Sequence, residues 1–298
     1  MIFNINVDMY LGSLLVNQVE TVNNLYFELS NEDRLRILQI LNDRNEKLTN
    51  ISKEIEISNQ QCMRHLNRLS DIHLIEKTSN DYYKLTPYGE IVFKLHPGYR
   101  FATRHRDYFL THNLSRLPDE FKARIGELSE SVQTPNVMEA ISELESIVKE
   151  SKEYLWVIIN KRTRSVRPFV ARAVERGVSI RSISPISYVP SVDVKRDIVE
   201  EDELSVIRAE SVGQAEVVDS DVFDVYLYLS ERSLFISFPL EDGTFDYTGF
   251  VSSDPKALKF CKDLFLHYWK RAEVIPSTEI VKRHLEYVNK HGVYPKYH

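Results

Sequence analysis

A segment near residue 60 carries amide and guanidinium side chains that could hydrogen-bond to the edges of DNA bases. If it is helical, one face holds four polar residues within about 100° of one another: Gln60, Gln61, Arg64 and Arg68. The opposite face is apolar and comprises Cys62, Leu66 and Leu69. In the major groove, glutamine can pair with N6 and N7 of adenine, and arginine with O6 and N7 of guanine. An ordinary solvated helix face is the alternative interpretation.

Two preceding helices would have to position this face. Ser30, followed by acidic residues, predicts the N-cap of a helix over about 31–43, whose apolar residues recur at helical spacing. Thr49 predicts the cap of a second, short helix that ends near Ile57, and Ser58 predicts the cap of the third. The second and third helices are therefore expected to meet across a tight turn.

Two strand-like runs follow, over 74–77 and 82–85, and the turn-forming residues 78–81 join them. The pattern predicts a β-hairpin, the wing of a winged helix. Contacts between a wing and DNA phosphates position a protein without carrying sequence information. The candidate phosphate contacts on this hairpin are Lys77, Asn80 and Lys84.

These segments resemble the ArsR-type winged helix-turn-helix of prokaryotic regulators. The resemblance covers about residues 28–95 and is carried by Ser58-Asn-Gln-Gln-Cys-Met-Arg-His-Leu-Asn-Arg-Leu69, Leu74-Ile75 and Tyr83-Lys-Leu-Thr-Pro-Tyr-Gly89. In that family the helix with the Arg-His-Leu element enters the major groove. The resemblance therefore implies DNA contacts at Asn59, Gln60, Gln61, Arg64, His65 and Arg68. His65 lies at the edge of the stripe, and packing against its own domain is an equal alternative.

The stretch before this module, over 8–26, has apolar residues at spacings of three and four and predicts an amphipathic helix. In dimeric winged-helix regulators such a helix commonly packs across the partner. Packing against its own domain is the other interpretation. From Pro87 a further helix is expected through Phe93, interrupted around Pro97-Gly98 and resumed beyond it.

The C-terminal part alternates helical and strand-like segments. Helices are expected over 137–149 and about 168–175, the second closed by Gly177, and a long helix is expected from Asp254-Pro255 to near Ala272. Strands are expected over 154–159, 178–183, 204–207, 225–229, 234–238 and 245–251. This order predicts an α+β protein in which the winged helix-turn-helix precedes an α/β sensor domain with a mixed sheet flanked by helices. The expected domains are 1–96, a helical connector over 97–135, and 136–298.

Two stretches of this part carry a further resemblance. The connector, His105-Arg-Asp-Tyr-Phe-Leu-Thr-His-Asn-Leu-Ser-Arg-Leu-Pro118, and the closing segment Phe245-Asp-Tyr-Thr-Gly-Phe-Val-Ser-Ser-Asp-Pro255 are similar to an archaeal family that regulates methanogenesis and filament growth. The architecture of that family resembles, more distantly, the phospholipase-D-like effector domain of sugar-sensing TrmB regulators. The resemblance implies a sensor domain behind the winged helix.

A basic loop follows the strand that ends near Asn160. The C-terminal ends of strands are where α/β sheets bind ligands, and a helix N-terminus at Pro168 would add positive charge. A small anionic effector is therefore one interpretation, and a solvated loop or a contact to the DNA backbone is the other. The residues concerned are Lys161, Arg162, Arg164 and Arg167.

Other chemistry is excluded by spacing. The nine glycines form neither a dinucleotide-binding nor a P-loop pattern, and no His is followed two residues later by Lys, as a phospholipase-D nucleophile requires. Cys62 and Cys261 are too far apart in sequence for a thiol motif, and His105 and His112 lack a third ligand. We expect no cofactor and no metal. The longest apolar run has six residues, against about 20 for a bilayer span, so we expect a cytoplasmic protein.

The charge distribution supports a DNA-binding N-terminal part. The chain carries a net charge of −6, yet residues 1–116 hold 14 basic and 14 acidic side chains, and Ser58–Arg106 is locally basic. We expect a sequence-specific DNA-binding regulator, a homodimer placing two recognition helices in successive major grooves about 34 Å apart. The alternatives are a phospholipase-D-like nucleic-acid phosphodiesterase targeted by the winged helix, and a protein-interaction adaptor.

Overall fold

The computed structural model describes residues 21–160, 164–184, 212–220 and 224–274. The chain divides into two units, Met1–Pro97 and Gly98–His298. Within the described ranges, no helix has both the length and the apolar character needed to span a bilayer. Two predicted secondary-structure elements lie at least partly outside these ranges: the N-terminal helix, over its residues 8–20, and the strand over 204–207.

The N-terminal unit contains helices packed on a three-stranded antiparallel sheet of order β1-β3-β2. Its elements are α1 (21–29), α2 (Glu32–Asp43), β1 (Glu46–Lys47), α3 (Leu48–Glu54), α4 (Asn59–Asp71), β2 (Ile75–Lys77), β3 (Tyr82–Leu85) and the first part of α5 (Pro87–Arg104). Strands β2 and β3 pair in the register Ile75↔Leu85 and Lys77↔Tyr83. The predicted winged helix-turn-helix is confirmed. The strand β1 was not predicted, because its two residues are too few to form a recognisable pattern.

The predicted starts of two helices need correction. Helix α2 is capped by Asn31, whose side chain accepts a hydrogen bond from Arg34 N, whereas the Ser30 hydroxyl donates to the Phe27 carbonyl at the end of α1. Helix α3 begins at Leu48, so Thr49 lies inside it, and Lys47 at the cap makes no side-chain hydrogen bond. Ser58 caps α4 as predicted.

The junction between wing and α5 explains the segment around Thr86. The Thr86 hydroxyl donates to the His73 carbonyl oxygen and accepts from Gly89 N, which caps α5. Gly89 lies against the backbone of Leu74, since a Cβ on Gly89 would lie 1.9 Å from the Leu74 oxygen. The expected interruption at Pro97-Gly98 is wrong: α5 runs through Pro97, because a proline inside a helix removes one hydrogen bond and can be tolerated.

The C-terminal unit is built on an eight-stranded mixed sheet of order β11-β7-β6-β5-β8-β9-β10-β4, in which β5, β6 and β7 are parallel and the other pairs antiparallel. The strands are β4 (Val132–Gln133), β5 (Tyr154–Ile158), β6 (Ser179–Ser184), β7 (Ala215–Asp219), β8 (Tyr226–Ser230), β9 (Leu234–Ser237), β10 (Phe250–Ser252) and β11 (Glu273–Val274). The helices beyond α5 are α6 (Arg106–Phe109), α7 (Asp119–Ala123), α8 (Val137–Glu150), α9 (Arg167–Glu175) and α10 (Pro255–Trp269). The predicted α+β class with a flanked mixed sheet is confirmed.

Apolar clusters cover both faces of this sheet. One contains α8 and α9 with the aromatic rings of β8. The other contains α10 together with Phe101, Tyr108 and Phe121 from the segment 98–135. That segment, which we expected to form a separate connector, packs into the C-terminal unit because its apolar side chains bury against the sheet.

One predicted strand is largely a loop. Of 245–251 only Phe250 and Val251 lie in a strand, since Tyr247 adopts φ 62° and the Asp246 carboxylate accepts hydrogen bonds from the backbone and hydroxyl of Thr248. These side-chain bonds close a turn in place of strand pairing. The short strands β4, β7 and β11 carried no recognised pattern, and α10 ends at Trp269, short of Ala272.

Candidate nucleic-acid interface

Helix α4 packs one face into the core of the N-terminal unit. Cys62, Leu66 and Leu69 are completely buried, as the apolar face predicted. Burial raises the pKa of the Cys62 thiol to about 11, so this thiol is protonated and serves as a packing group. The opposite face of α4 is exposed, and the side chains on it determine what the helix can bind.

Two predicted DNA contacts at the start of α4 hold the helix-turn-helix together. Asn59 Oδ1 accepts a hydrogen bond from the Ser52 hydroxyl of α3 at 2.6 Å. Gln61 forms a capping box with Ser58. The side-chain Oε1 of Gln61 accepts a hydrogen bond from Ser58 N at 3.2 Å, and the backbone N–H of Gln61 donates to the Ser58 hydroxyl at 3.2 Å. Both amide oxygens are thus already engaged, and these side chains stabilise the turn.

Arg68, also a predicted DNA contact, forms a bidentate ion pair with Glu28 of α1. Its Nε lies 2.9 Å from Glu28 Oε2 and its terminal nitrogen 2.6 Å from Oε1. The buried Arg34 of α2 approaches the same carboxylate at 3.0 Å and donates to the Glu28 carbonyl at 2.6 Å. Hydrogen bonding to Arg68 holds the pKa of Glu28 below its usual range although burial opposes this. Glu28 therefore joins α1, α2 and α4.

His65 lies against its own unit, which is the packing alternative given above. Its imidazole Nε2 is 3.5 Å from Asp33 of α2, and only 16% of its side chain is exposed. Burial lowers the pKa of the imidazole, and Nδ1 is buried with no hydrogen-bond partner in the described part of the chain. His65 is therefore mostly turned away from the exposed face.

Three polar side chains remain available on the exposed face. Gln60, Arg64 and Asn67 lie at positions i, i+4 and i+7 and fall within about 60° of one another on α4. All three are exposed, and among residues 21–160 no hydrogen bond or ion pair engages their side chains. The first two were predicted; Asn67 was missed, although its helical spacing from Gln60 was readable in the sequence.

The wing presents its predicted polar residues at the surface. Lys77 pairs with Asp81 at 2.7 Å and Lys84 with Glu76 on the facing strand at 2.8 Å; each lysine side chain is about half exposed. Asn80 is exposed in the turn. Exposed ion pairs contribute little stability, so the lysines can exchange these carboxylates for phosphates at small cost.

The predicted effector site falls largely outside the described residues. Lys161 and Arg162 lie beyond them, and of Arg164 and Arg167 only the backbone is described, at the start of a 3₁₀ turn and of α9. That site stays a prediction. Within the described ranges, no group of three or more His, Cys, Asp and Glu side chains is arranged to hold a metal ion.

No family model matches this chain, and no curated protein matches it. Among solved structures, the chain is similar to TrmBL2, described as an archaeal chromatin protein with a novel mode of DNA binding, at 14% identity over 80% of this chain and 92% of that one, with a TM-score of 0.39. It is also similar to Nuc, a phospholipase D family member of Salmonella typhimurium, at 9% identity over 50% of this chain and 97% of that one, with a TM-score of 0.34. A third similar structure is ZitR of Lactococcus lactis, at 20% identity over 38% of this chain and 73% of that one, with a TM-score of 0.23. Because every TM-score is below 0.5, we draw neither fold nor function from these similarities.

Proposed function

We propose that this chain is a sequence-specific DNA-binding transcriptional regulator of the ArsR-type winged helix-turn-helix class, acting in the cytoplasm. One observation carries the proposal: Gln60 and Arg64 stand one turn apart on α4, exposed and without partners in the described residues, on the unit whose wing presents Lys77 and Lys84. A free glutamine and a free arginine on one rigid helix are the two side chains best suited to read adenine and guanine in the major groove. The wing lysines supply phosphate contacts.

The contacts that anchor α4 favour sequence-specific recognition of DNA over non-specific binding. The capping box at Ser58, the Asn59–Ser52 hydrogen bond and the Arg68–Glu28 pair fix the helix at its start and near its end. A helix anchored in this way presents Gln60 and Arg64 in one geometry. DNA binding then loses little free energy to ordering of the helix. Selection of bound sequences from random duplex DNA tests the proposal, which expects a recurrent motif and fails if none is enriched.

Arg64→Ala is expected to weaken binding to the selected duplex by about 1–3 kcal/mol and to relax the preference at one base position, because a bidentate arginine–guanine contact is lost. Fluorescence anisotropy on the selected and a shuffled duplex measures both. Arg232→Ala removes the same charge from an exposed side chain of the C-terminal unit and serves as the control, with little expected effect. An equal loss on both duplexes would reduce Arg64 to a phosphate contact.

We further propose that the protein is a homodimer joined through helix α5. Tyr88, Ile91 and Leu95 form an apolar stripe on the face of α5 opposite the buried Phe93, and Ile91 and Leu95 are each 61% exposed. The second copy is the occupant that we propose, because a two-fold axis sets the same apolar stripe of each copy against the other, which makes the interface self-complementary.

Ile91→Glu is expected to convert the dimer into a monomer, because two carboxylates would be buried in the apolar centre of the interface. Sedimentation velocity over a range of protein concentrations measures the change. Val132→Glu alters an equally exposed aliphatic residue of the C-terminal unit and should leave the dimer intact. A wild-type chain that sediments as a monomer at all concentrations would refute the dimer.

No described observation favours the phosphodiesterase alternative. Incubating the pure protein with labelled DNA and a divalent metal ion tests it directly. We expect the DNA to remain intact. Progressive degradation of the labelled DNA would instead support the phosphodiesterase hypothesis. The adaptor alternative is tested by salt, since binding through phosphates must weaken steeply as the salt concentration rises.

A further inference from the structure

A cavity of about 470 Å³ opens in the C-terminal unit. Its walls are the half-buried side chains of Phe109, Leu114 and Ile125, which form the margin of one apolar cluster of the sheet. Ala102 of α5 and Glu241 are exposed and stand at its opening. The volume lies in the range of sites that bind small organic molecules.

The base of the cavity is fixed by hydrogen bonds. The buried His112 stacks on the Tyr108 ring at 3.6 Å, and its two ring nitrogens lie 2.9 Å from the Tyr108 carbonyl and 3.3 Å from an Asp246 carboxylate oxygen. Asn113 N donates to the Pro239 carbonyl at 2.7 Å, and its side-chain oxygen accepts from Ser115 N. The lining is therefore formed in advance, and a ligand would not have to order it.

The charge at the opening selects the ligand. Within the described residues, the Glu241 carboxylate has no hydrogen-bond or ion-pair partner, although it lies in a closed turn in which Leu240 and Thr244 are bonded. Arg116 approaches the same turn near Gly243, but no ion pair joins it to Glu241. Of the ionisable side chains in the lining, Glu241 is the one that reaches solvent, so the opening offers a negative charge beside an apolar wall.

We propose that this cavity binds a small organic cation whose apolar body packs on Phe109, Leu114 and Ile125 while its ammonium group pairs with Glu241. An ammonium–carboxylate hydrogen bond beside an apolar surface is stronger than a neutral one. The site does not depend on the proposed DNA binding, because it is defined by the C-terminal unit and is measured without DNA.

Titration calorimetry of the full chain tests the proposal with three probes of one shape: 2-phenylethylammonium, neutral 2-phenylethanol and anionic phenylacetate. The cation is expected to bind at least about tenfold more tightly than phenylacetate. Equal affinity for cation and anion would overturn the proposal, as would failure of the cation to bind at about 10 mM.

Two variants locate the binding in this cavity. Glu241→Gln should weaken binding of the cation about tenfold, and Ala102→Leu should weaken it by filling the opening. Asp107→Asn, which removes an equal charge from a fully exposed side chain outside the lining, should leave it within about twofold. Unchanged affinity in Glu241→Gln, or an equal loss in Asp107→Asn, would show that general surface charge attracts the probe and would overturn the site. Such an outcome leaves the selected-DNA experiment unaffected, so the two proposals fail separately.

Discussion

Replacing Glu28 by glutamine is expected to lower the free energy of unfolding of the N-terminal unit by about 3 kcal/mol. The glutamine keeps the shape of the side chain but leaves the guanidinium groups of Arg34 and Arg68 facing each other without a carboxylate, and Arg34 is only 6% exposed. Removing one partner from a buried ion pair costs far more than the pair contributes, because an uncompensated charge stays buried. The change acts on the unit that positions α4.

Both tryptophans, Trp156 and Trp269, lie in the C-terminal unit, which makes the effect of Glu28→Gln separable. Hydrogen exchange of peptides covering 34–41 and 59–71 should show lost protection, while the tryptophan fluorescence midpoint in urea should not move. Glu32→Gln, in the exposed first turn of α2, is the matched control and is expected to change stability by no more than about 0.5 kcal/mol. Unchanged protection in Glu28→Gln would mean that the three-residue cluster does not hold the unit together.

The same carboxylate gives the unit a defined acid sensitivity. The pKa of Glu28 is held below its usual value of 4.5 in the folded state, chiefly by the hydrogen bond from Arg68. Its contribution is therefore fully present above the usual value and is lost as the pH falls through the lowered one. Urea midpoints followed by far-UV ellipticity should fall with acid in the wild type, and less so in Glu28→Gln.

Gly89→Ala is the second change with a large expected effect, a loss of about 3 kcal/mol in the N-terminal unit. The new Cβ would lie 1.9 Å from the Leu74 oxygen and 2.9 Å from its carbonyl carbon, and backbone atoms cannot rotate away as a side chain can. The Leu74 oxygen also accepts a hydrogen bond from Thr86 N at 3.0 Å, so the movement of α5 that relieves the clash would disturb the wing. Hydrogen exchange over 74–86 measures it.

Gly98→Ala in the same helix provides the control. Its Cβ would meet Ile125 at an ordinary 3.8 Å, so the substitution should be neutral or stabilising by up to about 1 kcal/mol through helix propensity. If both substitutions cost the same, the loss at position 89 would reflect helix composition rather than contact with Leu74.

Local patterns predicted most of the N-terminal unit. The apolar face of α4, the cap at Ser58 and both wing strands follow from spacing and turn chemistry within a few residues. What spacing could not show was which polar side chains the unit itself would use. The Arg68–Glu28 pair joins residues 40 apart in sequence, and the capping box engages the Gln61 side chain that looked available for DNA. The site that we propose on α4 is therefore smaller than the predicted one and consists of Gln60, Arg64 and Asn67.

In the C-terminal unit, local sequence patterns predicted some strands and missed others. Strands β8 and β9 are buried throughout and were predicted from their apolar runs. Strand β4 has two residues, and its pairing with β10 depends on a partner more than 100 residues away. The loop at Asp246 carries a strand-like composition, but its side-chain hydrogen bonds to Thr248 favour a turn. Pairing with a distant strand determined β4, and hydrogen bonds from side chains to the backbone determined the turn at Asp246.

The central claim, that α4 reads DNA sequence, is tested most directly by the affinity of the full chain for a selected duplex against a shuffled duplex of the same composition at about 0.15 M salt. We expect the selected duplex to bind at least about 10³ times more tightly than the shuffled one, a ratio typical of specific recognition, and most of this preference to be lost in a variant that combines Gln60→Ala and Arg64→Ala. Equal affinities for the two duplexes, or a ratio that the double variant leaves unchanged, would contradict readout by α4.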